Sequence, residues 1–403
     1  MKPMLSPGQR LGDYVCEKQL GAGAMSEVWR ATKNGTGQPV VIKRLHDHLT
    51  HDPRQIDRFV DEAELAHRLV HPNLARVQEV SNDAGIWFLV MDWVDGVELR
   101  TGLVVEPGPM KPALAAHIAA QAAAGIAYAQ ARKDAKGRTL AFVHRDIAPD
   151  NLMIDVDGRV RVVDFGLARV RDTGVTTQTG LRKGKLRYMS REYLRDHAFD
   201  SSTDVYALGA TLFEMLTGAR PFYEASGPVD LMHVILTSEL PRASALRPSV
   251  PKELSDLVFD ATRANPAART RTAAELLDRL DRFGAKYPGP SAEQLGALVK
   301  TWRRLARSKK SRHAYGEHGQ LETTEAIEVA PPELPLRRRK NGSTSGLGSS
   351  VIVAHQTDLT EERTAPDLAP FQEDRPTQKF EPFAREPKVI VERQTTGRRK
   401  RRR

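Results

Sequence analysis

Between Val143 and Gly166 the chain reads VHRDIAPDNLMIDVDGRVRVVDFG. Three of its oxygen-bearing side chains stand out by their spacing: Asp146, Asn151 five residues on, and Asp164 thirteen residues after that. The stretch between, LMIDVDGRVRVV, alternates apolar and polar residues around Asp157-Gly158, the pattern of two short strands joined by a tight turn. A hairpin returns the chain to the end where it began, so Asn151 and Asp164 come together. An amide oxygen and a carboxylate side by side make a hard-oxygen site suited to Mg²⁺. Asp146, on the loop before the hairpin, is then placed to orient an incoming hydroxyl. Any one aspartate here reads most simply as a solvated turn residue; the joint spacing carries the signal.

Other stretches supply the elements around this site. From Tyr14, YVCEKQL followed by GAGAMSEVWRAT reads as strand, glycine turn, strand. Gly21 and Gly23 let the backbone pass close to phosphate oxygens, whose charge the turn amides can cradle, although a plain hairpin turn has the same look. Val40-Val41-Ile42-Lys43 follows as an apolar strand ending in a cation. Asp57 to Val70 has the spacing of an amphipathic helix, stopped at His71-Pro72-Asn73. Lys111 to Arg132, rich in alanine and interrupted only by Gly125, reads as a long buried helix. Thr203 to Thr217 is a further amphipathic helix, and Leu254 to Leu280 holds more.

At 403 residues, 40% of them apolar, the chain is long enough for a sizeable core and more than one domain. Its single cysteine, Cys16, excludes an internal disulfide framework and a thiolate metal cluster, and suits a reducing cytoplasm. No apolar run reaches the length of a bilayer span, and the N-terminus lacks an apolar signal core. The formal charge of +10 is matched by two cationic runs, Arg337 to Lys340 and Arg398 to Arg403, so the excess belongs to the C-terminal segment and not to a basic folded face. Without interleaved aromatics, these runs argue against a nucleic-acid partner.

The catalytic stretch resembles that of eukaryotic-type protein kinases, above all the soluble serine/threonine kinases of that type found in bacteria. That family's pattern is H-R-D-L-x-x-x-N followed by D-F-G; here His144-Arg145-Asp146, Asn151 and Asp164-Phe165-Gly166 match it, with Ile147 in place of the leucine. The resemblance covers about residues 14 to 283. It implies an α+β, two-lobed protein kinase fold with a small β-rich N-lobe and a larger helical C-lobe. It implies ATP and Mg²⁺ as cofactors and transfer of the γ-phosphoryl group to protein hydroxyls. Asp146 becomes the catalytic aspartate, Asn151 and Asp164 the metal ligands, and Lys43 the partner of the α and β phosphates. Leu20, Gly21, Ala22, Gly23, Ala24, Met25, Ser26, Glu27 and Val28 form the loop over the nucleotide, Ser26 standing where the pattern has its third glycine. Met91-Asp92-Trp93-Val94 resembles the hinge, with Met91 as gatekeeper, Asp92 and Val94 facing adenine, and Met153 beneath it. Glu62 takes the position of the helix glutamate that pairs with the lysine, with Asp61 and Glu64 as competing carboxylates.

Further positions follow from the same resemblance. Thr173, Thr176, Thr177 and Thr179 lie where an activating phosphate pairs with Arg145, and autophosphorylation is the expected source. Ser190-Arg191-Glu192 stands for A-P-E, with Arg269 as the partner of Glu192. Asp204 resembles the buried aspartate that braces the catalytic loop. Glu98 and Asp150 sit where basophilic members carry acidic side chains. Two positions depart from the pattern: Ala148 replaces the lysine two residues after the catalytic aspartate, and Lys185 replaces the threonine after Gly184. The expectation is that Lys185 reaches across and restores the missing cation.

Three segments follow: a lead over 1–13, the kinase domain over 14–283, and a basic tail over 284–403. The tail is rich in Pro, Ser, Thr, Gly and charge and is expected to be largely disordered, save for a candidate helix at Leu295 to Leu305 and a short apolar run, SVIVAH, at 350 to 355. The alternative function is a nucleotide-binding pseudokinase that acts as a scaffold through this tail.

Overall fold

The computed structural model describes residues 5–23, 26–133, 136–140, 142–164, 185–314 and 391–392, with the side chains of residues 58, 62, 309–314 and 391–392 left out. The N-terminal part is a sheet built from β1 (Arg10–Leu11), β2 (Tyr14–Ala22), β3 (Ser26–Lys33), β4 (Pro39–Leu45), β5 (Val77–Asp83) and β6 (Ile86–Asp92), with helix α1 (Pro53–His67) between β4 and β5. Its order is β1-β2-β3-β4-β6-β5, antiparallel throughout, and the two residues Val391–Glu392 lie parallel to β5.

Alternation along β4 explains how one strand serves two purposes. Val40 and Ile42 face a core with Tyr14, Cys16, Trp29 and Phe88, all buried. Val41, Lys43 and Leu45 point the other way; Leu45 joins the main core with Phe59 and Ala63 of α1, and Lys43 is left on the face toward the cleft. Arg44, on the Ile42 face, is buried with Glu27, and their ion pair of 2.7 Å satisfies both charges.

The C-terminal part begins with β7 (Gly96–Glu98), α2 (Leu99–Val105) and α3 (Pro112–Gln130), then the hairpin strands β8 (Leu152–Asp155) and β9 (Val160–Val162). Gly158 takes φ +79° at the hairpin turn, which glycine adopts without a Cβ penalty. Asp155 Oδ1 accepts from the amides of Asp157 and Arg159, closing the turn. The helices α4 (Arg191–Asp196), α5 (Ser201–Thr217), α6 (Pro228–Thr237), α7 (Ala243–Leu246), α8 (Lys252–Ala261), α9 (Ala273–Lys286) and α10 (Ala292–Ala314) follow. Asp200 caps α5 in a capping box with Thr203, and nearly every residue of α5 is buried. Around it pack α3, whose small alanines permit close approach, and α8 and α9.

The two-lobed architecture expected from the resemblance is present. The candidate helix at 295–305 is longer than the sequence suggested and is part of the folded body: Leu295, Val299 and Trp302 are each no more than 1% exposed. Order therefore continues past residue 283. SVIVAH lies outside the described residues.

Candidate active site

The catalytic loop is held from below. Asp204, near the start of α5, accepts the backbone amides of His144 (2.8 Å) and Arg145 (2.9 Å) on its two carboxylate oxygens. Burial outweighs these bonds and lifts its pKa to about 6. His144 is itself buried, which pushes its pKa down to about 4, and its ring meets the Val163 carbonyl and the Asp146 amide. Arg145 and Asp164 take left-handed backbone angles, φ +65° and +56°. Two non-glycine residues in that region cost energy and persist only where their surroundings over-determine them; here both flank the reactive groups.

Asp146 is gripped from two sides. The Asn151 amide nitrogen donates to the Asp146 backbone carbonyl (2.6 Å) and to its Oδ2 (2.8 Å). Lys185 Nζ donates to the same Oδ2 at 2.7 Å and to Asn151 Oδ1 at 3.2 Å. With its nitrogen spent on the catalytic loop, Asn151 presents its carbonyl oxygen, the atom a hard cation would use. Lys185 thus lies against Asp146 and Asn151, while Ala148 is 1% exposed and part of the apolar core.

Across the cleft, Lys43, 5% exposed, is ion-paired with Asp164. Burial alone would raise the Asp164 carboxyl, but the charge and hydrogen bond of Lys43 override it and hold the group below its ordinary value. The β8–β9 hairpin brings Asn151 and Asp164 to one end as its alternation implied, with the amide of Val163 bonded to the Asn151 carbonyl at 3.0 Å. Among the described residues no cluster of three or more His, Cys, Asp or Glu could hold a metal. The pair Asn151 and Asp164 is the donor set that remains, and Mg²⁺ commonly uses one or two such groups and completes its shell with phosphates and water. The residues fit the ion.

The nucleotide positions divide. Leu20, Gly21 and Ala22 end β2, Gly23 forms the turn, and Ser26, Glu27 and Val28 open β3; Ala24 and Met25 lie outside the described residues. Glu27 spends its carboxylate on Arg44 and Gln19, so only its backbone faces the loop. His46 Nε2 reaches the Gly23 carbonyl at 2.8 Å. In the segment 91–94 the Asp92 amide donates to the Arg76 carbonyl at 3.0 Å and its side chain accepts from Gln78 at 2.8 Å. Val94 and Met91 are each 7% exposed, and Met153 lies on β8. Glu62 lies on α1, but its side chain is outside the described residues, as are Phe165, Gly166 and Thr173, Thr176, Thr177 and Thr179.

Glu192 and Arg269 form the expected pair, bidentate at 2.7 and 3.0 Å, with the Arg269 side chain fully buried. One network was not read from the sequence. Arg100 of α2 donates to Glu214 at 2.7 Å and to the Tyr188 hydroxyl at 2.5 Å, and lies 3.4 Å from Asp150. Tyr188 in turn bonds Glu214. Burial raises the Tyr188 hydroxyl well above its usual value, with Glu214 adding to it. These groups come from four separate elements, and no local spacing announces them.

The protein kinase domain family matches residues 14–279. Tyrosine-protein kinase MasK of Myxococcus xanthus is 35% identical over 307 residues, 74% of this chain and 47% of that protein. Serine/threonine-protein kinase PrkC of Bacillus subtilis is 34% identical, over 67% of this chain and 40% of that protein, and PknL of Mycobacterium tuberculosis is 34% identical, over 64% and 62%. The chain spans about half the length of the curated relatives it matches. The crystal structure of the Mycobacterium tuberculosis PknI kinase domain aligns with a TM-score of 0.53 at 24% identity, covering 69% of this chain and 99% of that one, and shows a common fold. Because the family match takes in both lobes and every residue from the glycine turn to the Arg269 anchor, the chain belongs to the protein kinase family.

Proposed function

We propose that the chain is an ATP-dependent serine/threonine protein kinase. The observation that carries this reading is the double grip on Asp146 by Asn151 and Lys185, opposite an Asp164 paired with Lys43. Asp146 orients the acceptor hydroxyl through its carboxylate, held in place by the Asn151 amide. Asn151 Oδ1 and the Asp164 carboxylate hold Mg²⁺, which supplies charge neutralisation on the phosphates when bound. Lys43 and the glycine turn hold the phosphates. Lys185 supplies the cation that Ala148 lacks, so one positive charge is relocated and not lost. Positioning and preorganised charge are the main contributions in phosphoryl transfer.

Protein hydroxyls are the proposed substrates, with the chain itself among them at Thr173, Thr176, Thr177, Thr179 or in the tail. A serine/threonine preference is supported by the printed names of PrkC and PknL; MasK is named a tyrosine kinase. A cytoplasmic site is supported by the lone, buried Cys16, whose thiol burial pushes up to about 11, and no helix among the described residues is long and apolar enough to cross a membrane. A scaffold without transfer activity has no chemical need of Lys43, Asp146, Asn151 and Asp164 together. Incubation with γ-labelled ATP followed by phosphoamino-acid analysis tests the reading: label on serine or threonine is expected, and label confined to tyrosine refutes the specificity.

A further inference from the structure

Helix α10 lies past the end of the family match, yet the molecule is shaped to receive it. An atom added at the Cβ position of Gly102 in α2 would stand 2.6 Å from the Trp302 ring, one at Gly296 would stand 2.2 Å from the Val156 carbonyl oxygen, and one at Gly158 2.1 Å from that of Ala292. Three glycines on three elements thus permit one close contact surface. The Trp302 indole donates to Glu106 at 2.8 Å just beyond α2, and Arg303 reaches Asp95 at 2.8 Å and the Gly96 carbonyl at 3.3 Å. These contacts fall on two places of consequence. Asp95 and Gly96 directly follow the hinge Asp92–Val94, and Val156 and Gly158 belong to the turn of the hairpin whose other end carries Asn151 and Asp164.

We infer that α10 is a positioning element for the nucleotide site, fastening the segment after the hinge to the metal-side hairpin from behind. The inference rests on the nucleotide reading of the hinge given above. Two anchors divide the work. Trp302, 1% exposed, supplies buried apolar area and fixes the distance to α2. Arg303 and Asp95 are partly exposed, 28% and 59% for their side chains, so their pair adds little attraction and serves to set the register of the hinge-following segment. Loosening either anchor lets adenine and phosphates be held by parts that no longer keep a fixed separation. That loss is uniform binding, which raises KM for nucleotide and leaves kcat alone.

The test is binding of a non-hydrolysable ATP analogue with Mg²⁺ to the full chain, alongside kcat and KM for ATP and a thermal melt. Gly102→Ala, which pushes against Trp302 without touching the hinge, is expected to weaken analogue binding about tenfold, and Arg303→Ala about threefold. Arg303→Lys recovers binding, Lys300→Ala on the exposed face leaves it unchanged, and kcat at saturating ATP stays within about twofold in all. Analogue affinity unchanged in Arg303→Ala overturns the inference, whatever the melt shows, and decides the matter alone should Gly102→Ala fail to fold. A wild-type chain that binds no analogue at all instead refutes the nucleotide reading on which this rests.

Discussion

Lys185 Nζ stands 2.7 Å from Asp146 Oδ2, and both side chains are about nine-tenths buried, at 11% and 12% exposure. The two residues are 39 positions apart, yet the ammonium reaches the loop of Asp146 and Asn151, in which Ala148 offers no cation. A preorganised cation at a water-poor site contributes on the order of a few kcal/mol to a charged transition state. Lys185→Ala is therefore expected to lower kcat by roughly 10²-fold, and adding Ala148→Lys to recover at least part of the loss, because the charge returns by the other route. Steady-state kinetics of the two variants check this, and a Lys185→Ala rate within twofold of wild type contradicts it.

Asp204 gives a pH prediction whose sign follows from its raised pKa. Its folded value of about 6 exceeds the ordinary 3.8, so between these values the folded state binds a proton the unfolded state does not. Its contribution is present in full below pH 3.8 and is lost as pH rises through 6. Relative to Asp204→Asn, the wild type should gain about 2 kcal/mol of stability as pH falls from 7 to 4. Denaturant unfolding across that range is the measurement, and a difference independent of pH would be contrary to the assignment.

Asp150 is the half-exposed carboxylate of the Arg100 network, and Arg100 is already shared between it and Glu214. Two carboxylates with one guanidinium leave a single negative charge. A preference for arginine or lysine N-terminal to the acceptor should accordingly be modest, about fivefold, and should vanish in Asp150→Asn. A positional peptide library reads this directly; the same preference in both forms would rule out Asp150 as its source.

The catalytic segment was legible because its signal is local. Asn151 and Asp164 are set by the length of one hairpin, and Asp157-Gly158 marks its turn. The helices over 112–130 and 201–217 were legible for the same reason, the first from its unbroken alanine content and the second from its local apolar pattern. The carboxylate of Glu27 was not legible: the glycine-turn pattern groups it with the nucleotide, while strand alternation turns it to Arg44 on the opposite face. The Arg100, Tyr188 and Glu214 network joins elements brought together only by folding. Helix α10 was seen in part, since the charge-rich residues around Trp302 read as a solvated tail until α2 provides a glycine against which the indole packs.

The central claim is that Asp146 acts in transfer and that the chain is an enzyme, not a scaffold. The most direct measurement is single-turnover transfer from γ-labelled ATP by wild type and Asp146→Asn, with nucleotide affinity determined for both. The account predicts that nucleotide binds the two forms within about twofold while transfer falls about 10²- to 10⁴-fold in the variant. Equal transfer by both forms, or none by the wild type with nucleotide bound, would contradict it.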